Sequence, residues 1–148
     1  PECSPSLAGN GSKLAFEVER PGTGFTDLCV YDLANHTRKV VGRDHNESSQ
    51  QPRLDEAGQR MVFASFASDW TAGDDNSVSD VFLYDLQTDQ VRRLLQPNPL
   101  PGVSASYRPT IARDGRQAAF VSYGVPDPGT TRGRTTPVSR RRRSSSWF

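Results

Sequence analysis

The stretch PTIARDGRQAAFVS, Pro109 to Ser122, reads as a β-hairpin: an extended segment, a D-G turn, and an apolar run. The chain writes it three times. PSLAGNGSKLAFEV starts at Pro5 and PRLDEAGQRMVFAS at Pro52, and in each copy a Gly follows the Pro by six positions and a Phe by eleven. The Pro marks a place where a strand needs no N–H, and Gly11, Gly58 and Gly115 supply the left-handed backbone of the turn. A second element alternates with the first. It appears as DLCVYDLANHTRKVV from Asp27 and DVFLYDLQTDQVRRLL from Asp80, each with an apolar strand, a turn that starts at an Asp, and a more polar strand.

The runs KLAFEV, RMVFAS and QAAFVS are apolar at nearly every position, as suits strands covered on both faces. Counting gives a short strand that begins at the Pro, a buried one ending near the Phe, a buried one around the Tyr, and a polar edge strand. Four antiparallel strands recurring at roughly 40 to 50 residues describe a propeller blade. The chain is expected to be all-β, a partial β-propeller of about two and a half four-stranded antiparallel blades. A plain β-sandwich would also have many short strands, but it would not require one register three times over.

The hairpins resemble the TolB-type (WD40-like) β-propeller repeat, with ARDGRQAAFVS the nearest copy; Asn10 and Ala57 stand where that copy has Asp114. VYDLANHTRKV and LYDLQTDQVRRL are similar to the same family's aromatic-Asp-Leu strand pair. The resemblance covers residues 4 to 124. It implies a protein or peptide partner and a periplasmic or extracellular setting. A closed propeller usually has at least four blades, so the chain is expected to be part of a larger ring, a truncated product, or a piece that associates with further blades or with itself.

Two regions are distinguished, 1–124 as the repeat segment and 125–148 as a disordered tail. The 148 residues carry a formal charge of +1, but six of the 18 Lys and Arg lie beyond Thr130 and all 17 acidic residues lie before it. Arg140 to Arg143 could attract a polyanion, yet no groove-reading helix or stacking platform accompanies them, and an accidental tail is the favoured reading. No specific nucleic-acid partner and no membrane span are expected. Cys3 and Cys29 allow at most one disulfide and match no zinc spacing; Cys29 aligns with Phe82 and is read as a small buried hydrophobe. Asn10, Asn35 and Asn46 begin glycosylation sequons, which turn preference explains equally well.

Candidate sites fall in the loop SFASDWTAGDDNSVSD. Asp74, Asn76 and Asp80 have spacing that could wrap calcium, although turn formation is the favoured reading and no cofactor is expected. Trp70, with Asp69 beside it, could present an aromatic contact to a partner or pack over Phe66. His36 and His45 read as surface residues in turns. No G-x-S-x-G, H-E-x-x-H or P-loop pattern occurs, so the expectation is a noncatalytic interaction module. The alternative is the propeller portion of a prolyl oligopeptidase-type serine peptidase whose catalytic domain lies outside this chain.

Overall fold

Three antiparallel sheets follow one another along the chain. The computed structural model describes residues 4–74, 77–94, 105–123 and 135–137, and every regular element among them is a strand. Blade 1 has the order β1 (Ser6–Leu7), β2 (Lys13–Glu19), β3 (Thr26–Asp32), β4 (Thr37–Val41). Blade 2 repeats it with β5 (Ser49–Leu54), β6 (Arg60–Ser65), β7 (Asp80–Asp85) and β8 (Val91–Arg93). In blade 3, β9 (Ala105–Ile111) pairs with β10 (Ala118–Tyr123), which in turn pairs with β11 (Thr135–Pro137). This is the all-β, partial-propeller architecture expected from the repeats. β11 lies in the region read as a disordered tail; the rest of that region, with Arg140 to Arg143, lies outside the described residues, as do Cys3 and Asn76.

The three hairpin turns have one construction. The amides of Ala8, Asp55 and Ala112 donate to the carbonyls of Lys13, Arg60 and Gln117, and the amides of Gly11, Gly58 and Gly115 donate back to Ala8, Asp55 and Ala112. Those glycines have φ of 72°, 64° and 67°. A side-chain oxygen then caps the turn: Asn10 Oδ1 accepts from the Ser12 amide at 2.9 Å, and Asp114 Oδ1 from Arg116 at 3.0 Å. Ala57 cannot do this. In blade 2 the capping passes to Asp55, whose Oδ1 accepts from Gln59 and Arg60 at 2.8 and 3.2 Å.

The Tyr-Asp-Leu segments are equally regular. Asp32 Oδ1 accepts from the amides of Ala34 and Asn35, and Asp85 Oδ1 from those of Gln87 and Thr88. His36 and Asp89 follow with φ of 55° and 58°, and each is hydrogen-bonded by the Tyr five residues before it, Tyr31 at 3.3 Å and Tyr84 at 2.8 Å. Thus the aromatic residue of the motif ties down the left-handed residue of its own turn.

One expectation needs correction in detail. The first strand of blades 2 and 3 does not begin at the Pro but three or four residues earlier, at Ser49 and Ala105. Gln51 and Arg108, the residues before Pro52 and Pro109, have φ of 57° and 51°, and each strand bulges there. The Pro has no N–H to give to the ladder, so the pairing is interrupted at the Pro and resumes beyond it.

The core lies between blades 1 and 2, where Ala8, Ala15, Leu28, Val30 and Val41 meet Leu54, Met61, Phe63, Phe82 and Tyr84. β6, in the middle blade, is buried along all but its first residue, whereas β2 of blade 1 is mostly half-buried. Both-face burial therefore belongs to a blade with a neighbour on each side. Cys29 is a free, buried thiol opposite Phe16, and burial pushes its pKa up.

Candidate functional site

A cleft of about 270 Å³ opens where the loop after β4 crosses onto blade 2, lined by Val40 to His45 from blade 1 and by Trp70, Tyr84, Asp89 and Val91 from blade 2. Its geometry starts with Arg20. From the loop after β2, Arg20 pairs with the buried Asp27 at the start of β3 and donates to the carbonyls of Gly42 and His45 at 2.8 and 2.7 Å. A guanidinium is suited to this because its planar fork serves several acceptors at once. The loop from Gly42 to His45 is thereby pinned to blade 1.

Pinning delivers His45 to Trp70. The two rings stack with centroids 3.5 Å apart and planes 25° from parallel, and His45 Nδ1 lies 2.9 Å from Asp69 Oδ1. Asp69 also accepts from the amide of Asn46. Beneath the stack, Trp70 Nε1 donates to Ser49 Oγ at 3.3 Å and Ser65 Oγ at 3.1 Å, and the two hydroxyls lie 2.9 Å apart. The indole is only 8% exposed, with Phe63, Phe82 and Tyr84 around it. Gly42, at φ 102°, brings its backbone so close that a Cβ there would stand 3.3 Å from Trp70 Cζ2.

Tyr84 and Asp89 of the lining also take part in an ionic contact between the blades. Lys39 of β4 pairs with Asp89 and lies 5.6 Å from the centroid of the Tyr84 ring, so this corner joins the two blades as well. The bonds from Lys39 and then Tyr84 hold the Asp89 carboxyl below the usual range, while burial and the bond to Asp89 push the Tyr84 phenol up.

The candidate residues named from the sequence are thus distributed unevenly. Asp69 is at the cleft, bonded to His45. Trp70 forms part of its wall, buried rather than presented, and packs on Phe63 and Phe82; Phe66 instead faces Tyr107 of blade 3. Asp74 and Asp80 lie elsewhere, with Arg93 between them: its Nη1 is 2.7 Å from Asp74 and 3.3 Å from Asp80, and its Nη2 donates to the Gly73 carbonyl. Burial first, then the nearby Asp80 charge, raises the Asp74 carboxyl to about 6. No group of three or more His, Cys, Asp or Glu side chains suited to a metal ion occurs among the described residues.

His45, Ser49, Ser65, Tyr84 and Asp89 do not stand out in the sequence as parts of a site. A signal for the serines existed. Ser49 and Ser65 stand at the same repeat positions as Ser106 and Ser122, whose hydroxyls are also paired, at 3.2 Å. For His45 there was none, because its partners are 24 and 25 residues away along the chain.

No protein-family model and no curated protein matches the sequence. Solved structures do. TolB from Acinetobacter baumannii is 20% identical with a TM-score of 0.59, over 92% of this chain and 29% of that one. The β-propeller domain of the trilobed protease from Pyrococcus furiosus is 16% identical with a TM-score of 0.56, over 91% and 42%. Acylaminoacyl peptidase from Pyrococcus horikoshii is 16% identical with a TM-score of 0.53, over 86% and 18%. The chain therefore spans less than half the length of each structure, and its fold is that of a TolB-type propeller in part.

Proposed function

We propose that this stretch of TolB-type propeller is a noncatalytic interaction module that takes a short peptide segment of a partner protein in the cleft between blades 1 and 2. The observation that carries the reading is the stacked His45–Trp70 wall, held by Asp69 on one side and by the Ser49–Ser65 pair beneath. Apolar Val40, Val41 and Val91 with a polar rim of Arg43, Asp44 and His45 suit a side chain with an aliphatic body and a polar tip. Among the described residues the His45 imidazole hydrogen-bonds a carboxylate and no hydroxyl or thiol, an arrangement for holding a ligand rather than for activating a nucleophile. Rigid blades beneath mean that little ordering entropy is lost on binding.

The test is selection of a phage-displayed random peptide library on the immobilised chain. Enriched peptides should lose roughly tenfold or more in affinity on Arg43→Glu or His45→Asn and keep it on the distant Glu19→Ala. Failure to enrich any peptide, or equal binding to all variants, would count against the module.

A second reading is favoured by the likeness to the two Pyrococcus peptidases: the propeller portion of a prolyl oligopeptidase-type serine peptidase. A G-x-S-x-G-bearing α/β module in the same protein would establish it, and further propeller repeats in that place would exclude it.

A further inference from the structure

Both walls of the cleft belong to neighbouring blades of this chain, and its hydrogen-bonding groups are unbalanced. His45 sets the imbalance. The Asp69 carboxylate accepts hydrogen bonds and has no proton to give, so the hydrogen on the 2.9 Å line between Asp69 Oδ1 and His45 Nδ1 belongs to the imidazole. That fixes the tautomer. The neutral ring keeps its lone pair on Nε2, on the far side from Asp69, and no hydrogen bond reaches that atom among the described residues. The ring is kept from turning over because it lies flat on Trp70 and its own backbone carbonyl is held by Arg20.

The other side-chain donors of the lining are already used within the protein. The Trp70 indole N–H goes to Ser49 and Ser65. Tyr84 gives its hydroxyl proton to Asp89, which also accepts from Lys39. Asp44, exposed at the rim, can only accept. Of the lining side chains, Arg43 alone keeps its donors free among the described residues.

A side chain that answers this inventory has methylenes to lay along Val40, Val41 and Val91, and ends in several N–H groups with no acceptor of its own. Lysine and arginine both do so. A guanidinium matches the two parallel oxygens of one carboxylate, whereas His45 Nε2 and the Asp44 carboxylate are separate acceptors, which the rotatable donors of an ammonium serve better. We infer that the bound segment is anchored by a lysine, its stem on the valines and its ammonium shared between His45 Nε2 and Asp44, with Arg43 taking a main-chain carbonyl of the same segment. The inference rests on the peptide-binding reading and adds the chemistry of the anchor. Asp69 is a positioning residue that acts through His45.

The test uses the peptides enriched on the immobilised chain. Lysine should recur at one position. The tightest peptide is resynthesised with norleucine there, which keeps the stem and removes the ammonium, and its Kd should rise about tenfold by titration calorimetry. Glutamate there should bind more weakly still. Asp44→Asn, at an exposed position that leaves the fold alone, should shrink the lysine-to-norleucine preference about threefold while the norleucine peptide binds as before. Asp69→Asn offers a carboxamide that can donate to Nδ1, releases the other tautomer, and should also shrink the preference; a merely structural role for Asp69 would weaken both peptides equally. Recurrence of arginine or of an acidic residue in place of lysine, equal Kd for the lysine and norleucine peptides, or a preference unmoved by Asp44→Asn would each overturn the inference while leaving the cleft a peptide site. Failure to enrich any peptide would overturn the reading beneath it as well.

Discussion

At the scale of single residues, the chain puts its unusual energetics where a charge or a ring is buried. Asp74 is the clearest case, its carboxyl raised to about 6 by burial and by Asp80. Because its folded pKa lies above its unfolded one, the folded state holds the extra proton between the two values, and stability falls as pH rises through about 6. Asp32, Glu56 and Asp89, held low by hydrogen bonds, act in the opposite sense and lose their contribution as pH falls. The useful measurement is therefore a difference. Asp74→Asn should raise the melting temperature relative to the parent at neutral pH, with the gap closing toward about pH 4, and a gap independent of pH would contradict the assignment. Trp70→Phe removes both indole hydrogen bonds from the paired serines and part of the core. It should cost about 2 to 4 kcal/mol in urea unfolding, against less than about 0.5 kcal/mol if the ring were a surface contact.

At the scale of the element, the turn glycines separate two causes that look alike in sequence. All three have positive φ, so replacement by Ala strains each of them. At Gly11 that strain is the whole effect, about 1 kcal/mol, whereas at Gly115 the added Cβ also meets Asp55 and Arg60 of the neighbouring blade. Gly115→Ala should therefore destabilise at least twice as much as Gly11→Ala in chemical denaturation; equal losses would mean that the blades do not press on their glycines. The loop from Ala67 to Ser79 makes a second prediction. Arg93 already stands between Asp74 and Asp80 and offsets one of their two charges, so calcium should leave the melting temperature unchanged. A calcium-dependent rise would favour the metal reading of Asp74, Asn76 and Asp80 over turn formation.

At the scale of the whole molecule, neighbouring blades hold each other, so stability should be graded rather than uniform. Blade 2, covered on both sides, should show the slowest amide exchange, with β6 slowest of all. Arg20→Met should release the Gly42–His45 loop, speed exchange there, and separate His45 from Trp70 while β6 stays protected. Uniform acceleration across all strands would show that Arg20 supports the fold rather than the cleft.

Much of this was legible in the residues. Pro, Gly and Phe at fixed spacing encode local events: a missing N–H, a left-handed turn, an apolar strand end. Their recurrence determined the sheets and the strand order, because hairpins form between neighbours in sequence. What the sequence could not convey is which loops the stacking of blades brings face to face. Only the tertiary structure decided that Trp70 turns inward, that His45 lies flat upon it, and that Arg93 stands between two carboxylates, since each partner is chosen by packing across tens of residues rather than by the local periodicity that writes the blades.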